Sequence, residues 1–244
     1  MFVHKHLEVF KSTVDEYVGL PEEERWAGGY ATISLVGYLE KQCLNLYNLD
    51  ILPSPSNLKF NRAQLIDRSK VDSGISDLEV VLDIFAWGGI NRKHACLALQ
   101  SFNSWKEIIS KLRNKEYSSI EGYDEFYKLR NNKELSGIGP AYYTKLIFFC
   151  HPKHDGYIMD QWTARSVNLL LDKSDNRIRL NKSKYFQGVS DSNDQCVYKN
   201  FCCNVERLAN ECGYQDHPSK IEEALFSKGG RNKLDWRKYV IKHT

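Results

Sequence analysis

The residues best placed to do chemistry are a glycine turn and a carboxylate downstream of it. Leu135-Ser136-Gly137-Ile138-Gly139-Pro140-Ala141 leads into the apolar run Leu146-Ile147-Phe148-Phe149, and Asp160 follows nineteen residues after Ala141. Gly-Ile-Gly between two helical segments is a tight hairpin. Glycine suits it because it tolerates positive φ and lets the backbone approach another group. The second helix opens directly after the turn, so its unpaired N–H groups and positive dipole end suit an anion, for which a DNA phosphate is the natural candidate. Asp160 stands at the start of a further helical stretch, where the dipole and backbone N–H donors favour the charged carboxylate. The plain alternatives are a structural helical hairpin and a helix cap with no chemistry.

Other phosphate-binding motifs do not fit. A dinucleotide fingerprint needs a third glycine at position 142, which is Tyr, and a strand before the turn. Glu125-Phe126-Tyr127-Lys128-Leu129-Arg130 reads instead as helix. There is no Gly-x-x-x-x-Gly-Lys-Ser/Thr loop and no Gly-x-Ser-x-Gly elbow.

The elements that must position these residues read as helices. Leu20-Pro21-Glu22-Glu23-Glu24 is a helix start, interrupted at Gly28-Gly29. Ala31 to Leu46 carries Ile33, Val36, Leu39 and Cys43 at helical spacing. Leu52-Pro53-Ser54-Pro55-Ser56-Asn57 is a loop. Ser76-Asp77-Leu78-Glu79 is a capping box that opens a helix running to Trp87-Gly88-Gly89. Further helices are expected from about Asn91 to Leu99, from Ser104, and through the hairpin unit at 123–150. Others follow from Asp160 to Leu171, from Gln195 to Cys212, and from a second capping box, Ser219-Lys220-Ile221-Glu222, to Gly229-Gly230. Strand signals are sparse, so the chain is read as all-α.

Hairpin, apolar helix, short loop and aspartate at a helix start together resemble the helix-hairpin-helix DNA glycosylases, and most of all their 8-oxoguanine glycosylase branch. The resemblance is firm over about 76–171. It implies a two-lobed helical bundle with a DNA-binding cleft that holds Asp160. The segments would be 1–75, an N-terminal helical region contributing to the second lobe; 76–171, the glycosylase core; and 172–244, helices completing the fold.

By the same resemblance, Gly137, Ile138, Gly139, Ala141 and Arg165 would contact DNA. Asp160 would stabilise the positive charge that develops on the sugar as the C–N bond breaks, or activate water. Bifunctional members carry a lysine two residues past the last hairpin glycine, which attacks the sugar carbon; here that position is Ala141. Lys145 lies one helical turn further on. It could supply the amine, bind a phosphate or reach solvent. An extruded base needs a wedge and a pocket. Asn91 and Trp87, in the Trp87-Gly88-Gly89-Ile90-Asn91-Arg92 turn, are candidates, with Tyr142, Tyr143 and Trp162; for each aromatic, a core role is the competing reading.

The expected partner is double-stranded DNA carrying a modified base, with room for a monovalent cation at the hairpin. No other cofactor and no metal is expected. The expected activity is base excision, with strand cleavage open. The base is read as a hypermodified one in phage DNA, hence phage defence. 8-Oxoguanine repair and a non-catalytic DNA-binding protein are the alternatives.

The bulk properties agree with a soluble globular chain. Its 244 residues carry a net charge of +3, too little by itself to argue for nucleic acid. The basic residues cluster, however, as Lys173, Arg177, Arg179, Lys182 and Lys184, and as Lys228, Arg231, Lys233, Arg237, Lys238 and Lys242. Either group could track a phosphate backbone or be a solvated face. No apolar run is long enough for a membrane span, and the start has no signal-peptide core, so a cytoplasmic monomer is expected. Seven cysteines without a paired framework suggest free thiols. Cys196, Cys202, Cys203 and Cys212 have a spacing unlike the Cys-x6-Cys-x2-Cys-x5-Cys of cluster-bearing glycosylases and are read as buried thiols on one helix. Cys150-His151 with His154 lacks a fourth zinc ligand and is read as a polar loop.

Overall fold

The computed structural model describes residues 1–25, 29–42, 55–172, 177–181, 188–228 and 233–244. Its elements in chain order are α1 (His4–Gly19), α2 (Glu22–Arg25), α3 (Thr32–Gln42), α4 (Arg62–Ser69), α5 (Asp77–Trp87), α6 (Arg92–Gln100) and α7 (Phe102–Arg113). They continue with α8 (Ser119–Asn131), α9 (Pro140–Cys150), α10 (Gln161–Leu170), α11 (Gln195–Glu211), α12 (Pro218–Phe226) and α13 (Asp235–His243). Among the described residues extended pairing is limited to isolated bridges, Phe2 with Leu171 and Leu180 with Val189. The fold is all-α. No described helix is long and apolar enough to cross a membrane.

The chain forms two compact units, Ala27–Gly156, and Met1–Trp26 with Tyr157–Thr244. The second is assembled from both ends of the chain, so its borders differ from the contiguous segments 1–75, 76–171 and 172–244.

In the 27–156 unit α9 is the central element. Every residue from Tyr143 to Cys150 is buried, and the helix packs against α4, α5, α7 and α8. This explains why its sequence is apolar around the whole helix instead of along one stripe. Helix α7 shows the opposite pattern, a stripe of Phe102, Trp105, Ile108, Ile109 and Leu112 facing inward. Its last residue, Arg113, is buried; it donates to the carbonyls of Ser69, Lys70 and Ile75 and pairs with Asp77, which pins the α4–α5 connection. Asp83 of α5 accepts from Thr32 Oγ1 at 2.6 Å and meets Arg68 at 2.7 Å, joining α3 and α4 to α5.

In the other unit α10 and α11 each pack on α12, and α1 packs on both α12 and α13. Helix α11 buries Tyr198, Phe201, Cys202, Asn204, Val205, Leu208 and Ala209.

Several expectations shift. The Ser76 capping box forms, with Glu79 bonded back to the Ser76 N–H. The Ser219 box does not: Pro218 takes the first position of α12, where its missing N–H costs nothing, and His217 is the cap. That places Glu222 inside the helix, where it is buried. Helix α7 begins at Phe102, before Ser104, because burying Phe102 and Trp105 extends the helix toward α6. On α3 the inward stripe is Leu35, Val36 and Leu39, while Ile33 is exposed; Cys43 lies outside the described residues, as do Gly28 and Gly229-Gly230. Helices α4 and α13 were not expected. Helix α4 nevertheless carries a full capping box between Asn61 and Gln64.

Candidate active site

Asp160 is the N-cap of α10. Its Oδ1 accepts the N–H groups of Trp162 at 2.7 Å and Thr163 at 3.0 Å, and the Thr163 hydroxyl accepts the Asp160 N–H at 2.9 Å. The residue is 8 % exposed. One oxygen thus locks the carboxylate in place, while Oδ2 takes no hydrogen bond among the described residues. Cap and candidate catalytic group are therefore compatible roles of one side chain: the cap fixes the orientation that chemistry at Oδ2 would need.

Two basic residues flank this start of α10. Arg237 of α13 lies over the Trp162 ring at 3.9 Å, and Arg165 lies over the same ring at 4.7 Å. The Arg237 guanidinium donates to the carbonyl of Ser227 at 2.8 Å and to that of Phe226. Burial pushes its pKa down to about 10, and the nearby charge of Asp160 opposes that shift. At neutral pH it remains a cation within Coulombic reach of Asp160, though not in an ion pair with it. The sequence puts Arg237 in a basic cluster that could track a phosphate backbone or be a solvated face. The structure corrects this, because the side chain is 4 % exposed and turned inward. The signal for its helix is short, Trp236 and Val240 at helical spacing, and it is these that turn Arg237 inward on α13.

We expect Arg237→Met to keep an apolar side chain against Trp162 but remove the guanidinium donations to the Phe226 and Ser227 carbonyls. The cost should be about 1–3 kcal/mol, seen as a lower thermal midpoint. An unchanged midpoint would show that these bonds contribute nothing.

The hairpin lies in the 27–156 unit. Gly137 has φ +77°, and a Cβ there would stand 2.1 Å from the His94 carbonyl and 2.8 Å from the Ala98 nitrogen, so the turn rests against α6 backbone. Gly139 differs: its φ of −129° is extended backbone, and it is the N-cap of α9 with Pro140 in the first turn. The expectation of positive φ therefore holds for Gly137 and not for Gly139. Ile138 is buried and Ala141 half-buried.

Lys145 is buried along its stem. Its Nζ donates to the Ala141 carbonyl at 2.7 Å and lies 5.0 Å from the Tyr142 ring centre. A Cβ on Gly88 would come 3.1 Å from Lys145 Cδ and 3.3 Å from Tyr142, so Lys145, Tyr142 and the α5–α6 turn form one cluster. Gly29, which the sequence marks only as a helix interruption, closes over that turn. Its φ is +75°, and a Cβ would sit 2.4 Å from the carbonyls of Ala86 and Trp87.

Among the pocket or wedge candidates, Trp87 belongs to the core, edge-on to Phe149 at 4.8 Å, and Tyr143 is fully buried against Phe126 and Tyr123. The core reading prevails for both, since α9 buries its whole circumference. Tyr142 and Trp162 are half-buried, and Asn91 is exposed, its side chain capping α6 through the Lys93 N–H at 3.0 Å. The structure thus groups Lys145 with Tyr142 in one unit, and Asp160 with Trp162, Arg165 and Arg237 in the other.

The cysteines divide. Cys202 is buried, Cys212 half-buried, and Cys196 and Cys203 are exposed, so the buried-thiol reading holds fully for Cys202 alone and the adjacent Cys202 and Cys203 point in different directions on α11. Cys96 is disulfide-bonded, against the expectation of free thiols throughout. Among the described residues no three His, Cys, Asp or Glu side chains group as a metal site requires. His151 and Ser119 instead both contact Asp155 of the loop after α9, His151 Nδ1 at 3.2 Å.

No curated protein and no solved structure matches this chain. Residues 37–226 do match one family, and the match runs through the hairpin, Lys145 and Asp160. The chain belongs to the family described as "Putative 8-oxoguanine DNA glycosylase OGG-like protein".

Proposed function

We propose that this protein is a DNA glycosylase that takes a modified base out of the duplex and hydrolyses its N-glycosidic bond. The observation that carries the reading is the state of Asp160, a nearly buried carboxylate fixed through Oδ1 with Oδ2 outside the cap. As the bond between C1′ and the base nitrogen breaks, the base leaves with the electron pair and the sugar becomes positive. A fixed carboxylate beside that centre stabilises it, and a water adds its oxygen to C1′ while its proton passes to Asp160 Oδ2 and from there to the departed base nitrogen. Double-stranded DNA would be held by Gly137, Ile138, Gly139 and Ala141 of the hairpin and by Arg165.

The water route is favoured over a Schiff base because Ala141 replaces the lysine of bifunctional members and the Lys145 amine donates to its own helix. A nucleophilic Lys145 would first have to give up that bond. For the base, we propose a hypermodified one, as in phage DNA, on the departure at Ala141. The family description favours a second reading, 8-oxoguanine.

The test is release of free base from duplexes containing 8-oxoguanine, uracil or alkylated bases, and from phage genomes with ordinary or glycosylated cytosines. Release from glycosylated DNA alone supports the first base, and release of 8-oxoguanine the second. A borohydride-trapped adduct on a cleaved substrate would overturn the water route. Silence on every substrate, with binding retained, would leave a DNA-binding protein.

A further inference from the structure

The unit that carries Asp160 holds a cavity of about 740 Å³ beside the C-terminal half of α10. That size lies within the range of about 300–1,000 Å³ usual for ligand sites. Three cations from separate elements line it: Lys5 at the start of α1, Arg165 in the middle of α10 and Arg177 in the segment after α10. Two imidazoles, His6 and His243, stand with them, and Asp172 is the acidic side chain among the lining residues.

Arg165 is held in place before any ligand arrives. Its Nε donates to the Thr244 hydroxyl at 2.8 Å and its plane lies over Trp162. It has no carboxylate partner among the described residues, and burial lowers its pKa. A guanidinium fixed and partly withdrawn from water without a counter-charge is stabilised by an anion more than a freely solvated one would be. Lys5 and Arg177 are exposed, and none of the ion pairs among the described residues involves them. The imidazoles are ordered as well: His6 Nδ1 meets the Tyr239 hydroxyl at 2.9 Å, and Tyr239 stacks on His243 at 4.1 Å.

We infer that this cavity binds phosphate of the DNA backbone, as a second backbone contact made without any hairpin residue. The inference rests on the reading that this protein meets DNA. Arg165, fixed by Trp162 and Thr244, presents the fork of donors that matches a phosphate, and Lys5 and Arg177 add positive charge from two other elements of the lining.

The experiment uses the full chain and a fluorescein-labelled duplex, with binding measured across a salt series. Lys5→Ala/Arg177→Ala changes two exposed side chains. Lys128→Ala, whose lysine pairs with Asp124 and Glu125, is the control. The double variant should bind about tenfold more weakly, and its salt slope should be shallower by about 1.8, two contacts at 0.9 each. Arg165→Ala should lower affinity further, and Arg165→Lys should recover part of it. An unchanged affinity and slope in the double variant would overturn the inference. So would a cavity that takes inorganic phosphate or thymidine monophosphate, lost in the double variant while duplex binding stays intact; the site would then serve a small anion. Base release scored on the same samples separates the two readings. Failure of the salt test with base release intact removes the cavity alone, and absence of base release with the salt effect present removes the glycosylase reading alone.

Discussion

Asp160→Asn is expected to abolish measurable base release, a loss of about 10²–10⁴-fold, while leaving the protein folded and bound to DNA. Asparagine caps helices about as well as aspartate, so the acceptor for the Trp162 and Thr163 N–H groups is kept. What is lost is the negative charge. The helix dipole would register that loss at about 0.3–1 kcal/mol, small beside the effect on a cationic transition state. The measurement is single-turnover base release together with a thermal melt and a binding isotherm. Loss of release with the melt and the isotherm near wild type is the expected result. Base release near the wild-type rate would mean that Asp160 is a cap and nothing else. A collapsed melt would not decide the matter by itself, and Asp160→Ser, a second good cap without charge, would then be compared.

Gly137→Ala should be the most damaging single methyl in the hairpin. The new Cβ would lie 2.1 Å from the His94 carbonyl oxygen, and that neighbour is helix backbone, which cannot swing aside as a side chain would. The backbone angle of +77° adds strain of its own for any L side chain. Strain of about 1–3 kcal/mol and overpacking of about 1–3 kcal/mol together give a loss of about 2–6 kcal/mol. Chemical denaturation would read this as an earlier midpoint at unchanged slope. Gly74→Ala is the informative comparison, since Gly74 has φ +73° with nothing within 4 Å of its Cβ position. It should lose only the strain. Equal losses at both sites would show that contact with α6 is unimportant.

Much of this site was legible in local sequence because its devices are local. A capping aspartate needs only the two or three residues after it, and a hairpin needs glycine where φ turns positive. Asp160 and Gly137 are therefore legible in the sequence alone. Gly139 shows the limit: glycine at a cap position in extended backbone has the same spelling as glycine at positive φ. The buried aromatics show another. Trp87 and Tyr143 have the composition of a base pocket, but α9 is buried on every side, and nothing within the local sequence fixes how many neighbours surround a helix.

The sequence by itself determined that the chain is all-α, that a tight turn precedes an apolar helix, and that a carboxylate caps the helix after it. These follow from short-range rules of dihedral angle, hydrogen bonding and period. Only the tertiary structure decided that the first helices of the chain join its last third, that Arg237 turns inward beside Asp160 instead of outward toward solvent, and that Lys5, Arg165 and Arg177 line one cavity. Those facts depend on which faces meet between elements far apart in the chain, by 77 residues for Asp160 and Arg237 and by 160 for Lys5 and Arg165. That pairing is fixed by the summed burial of many side chains, so no local pattern records it.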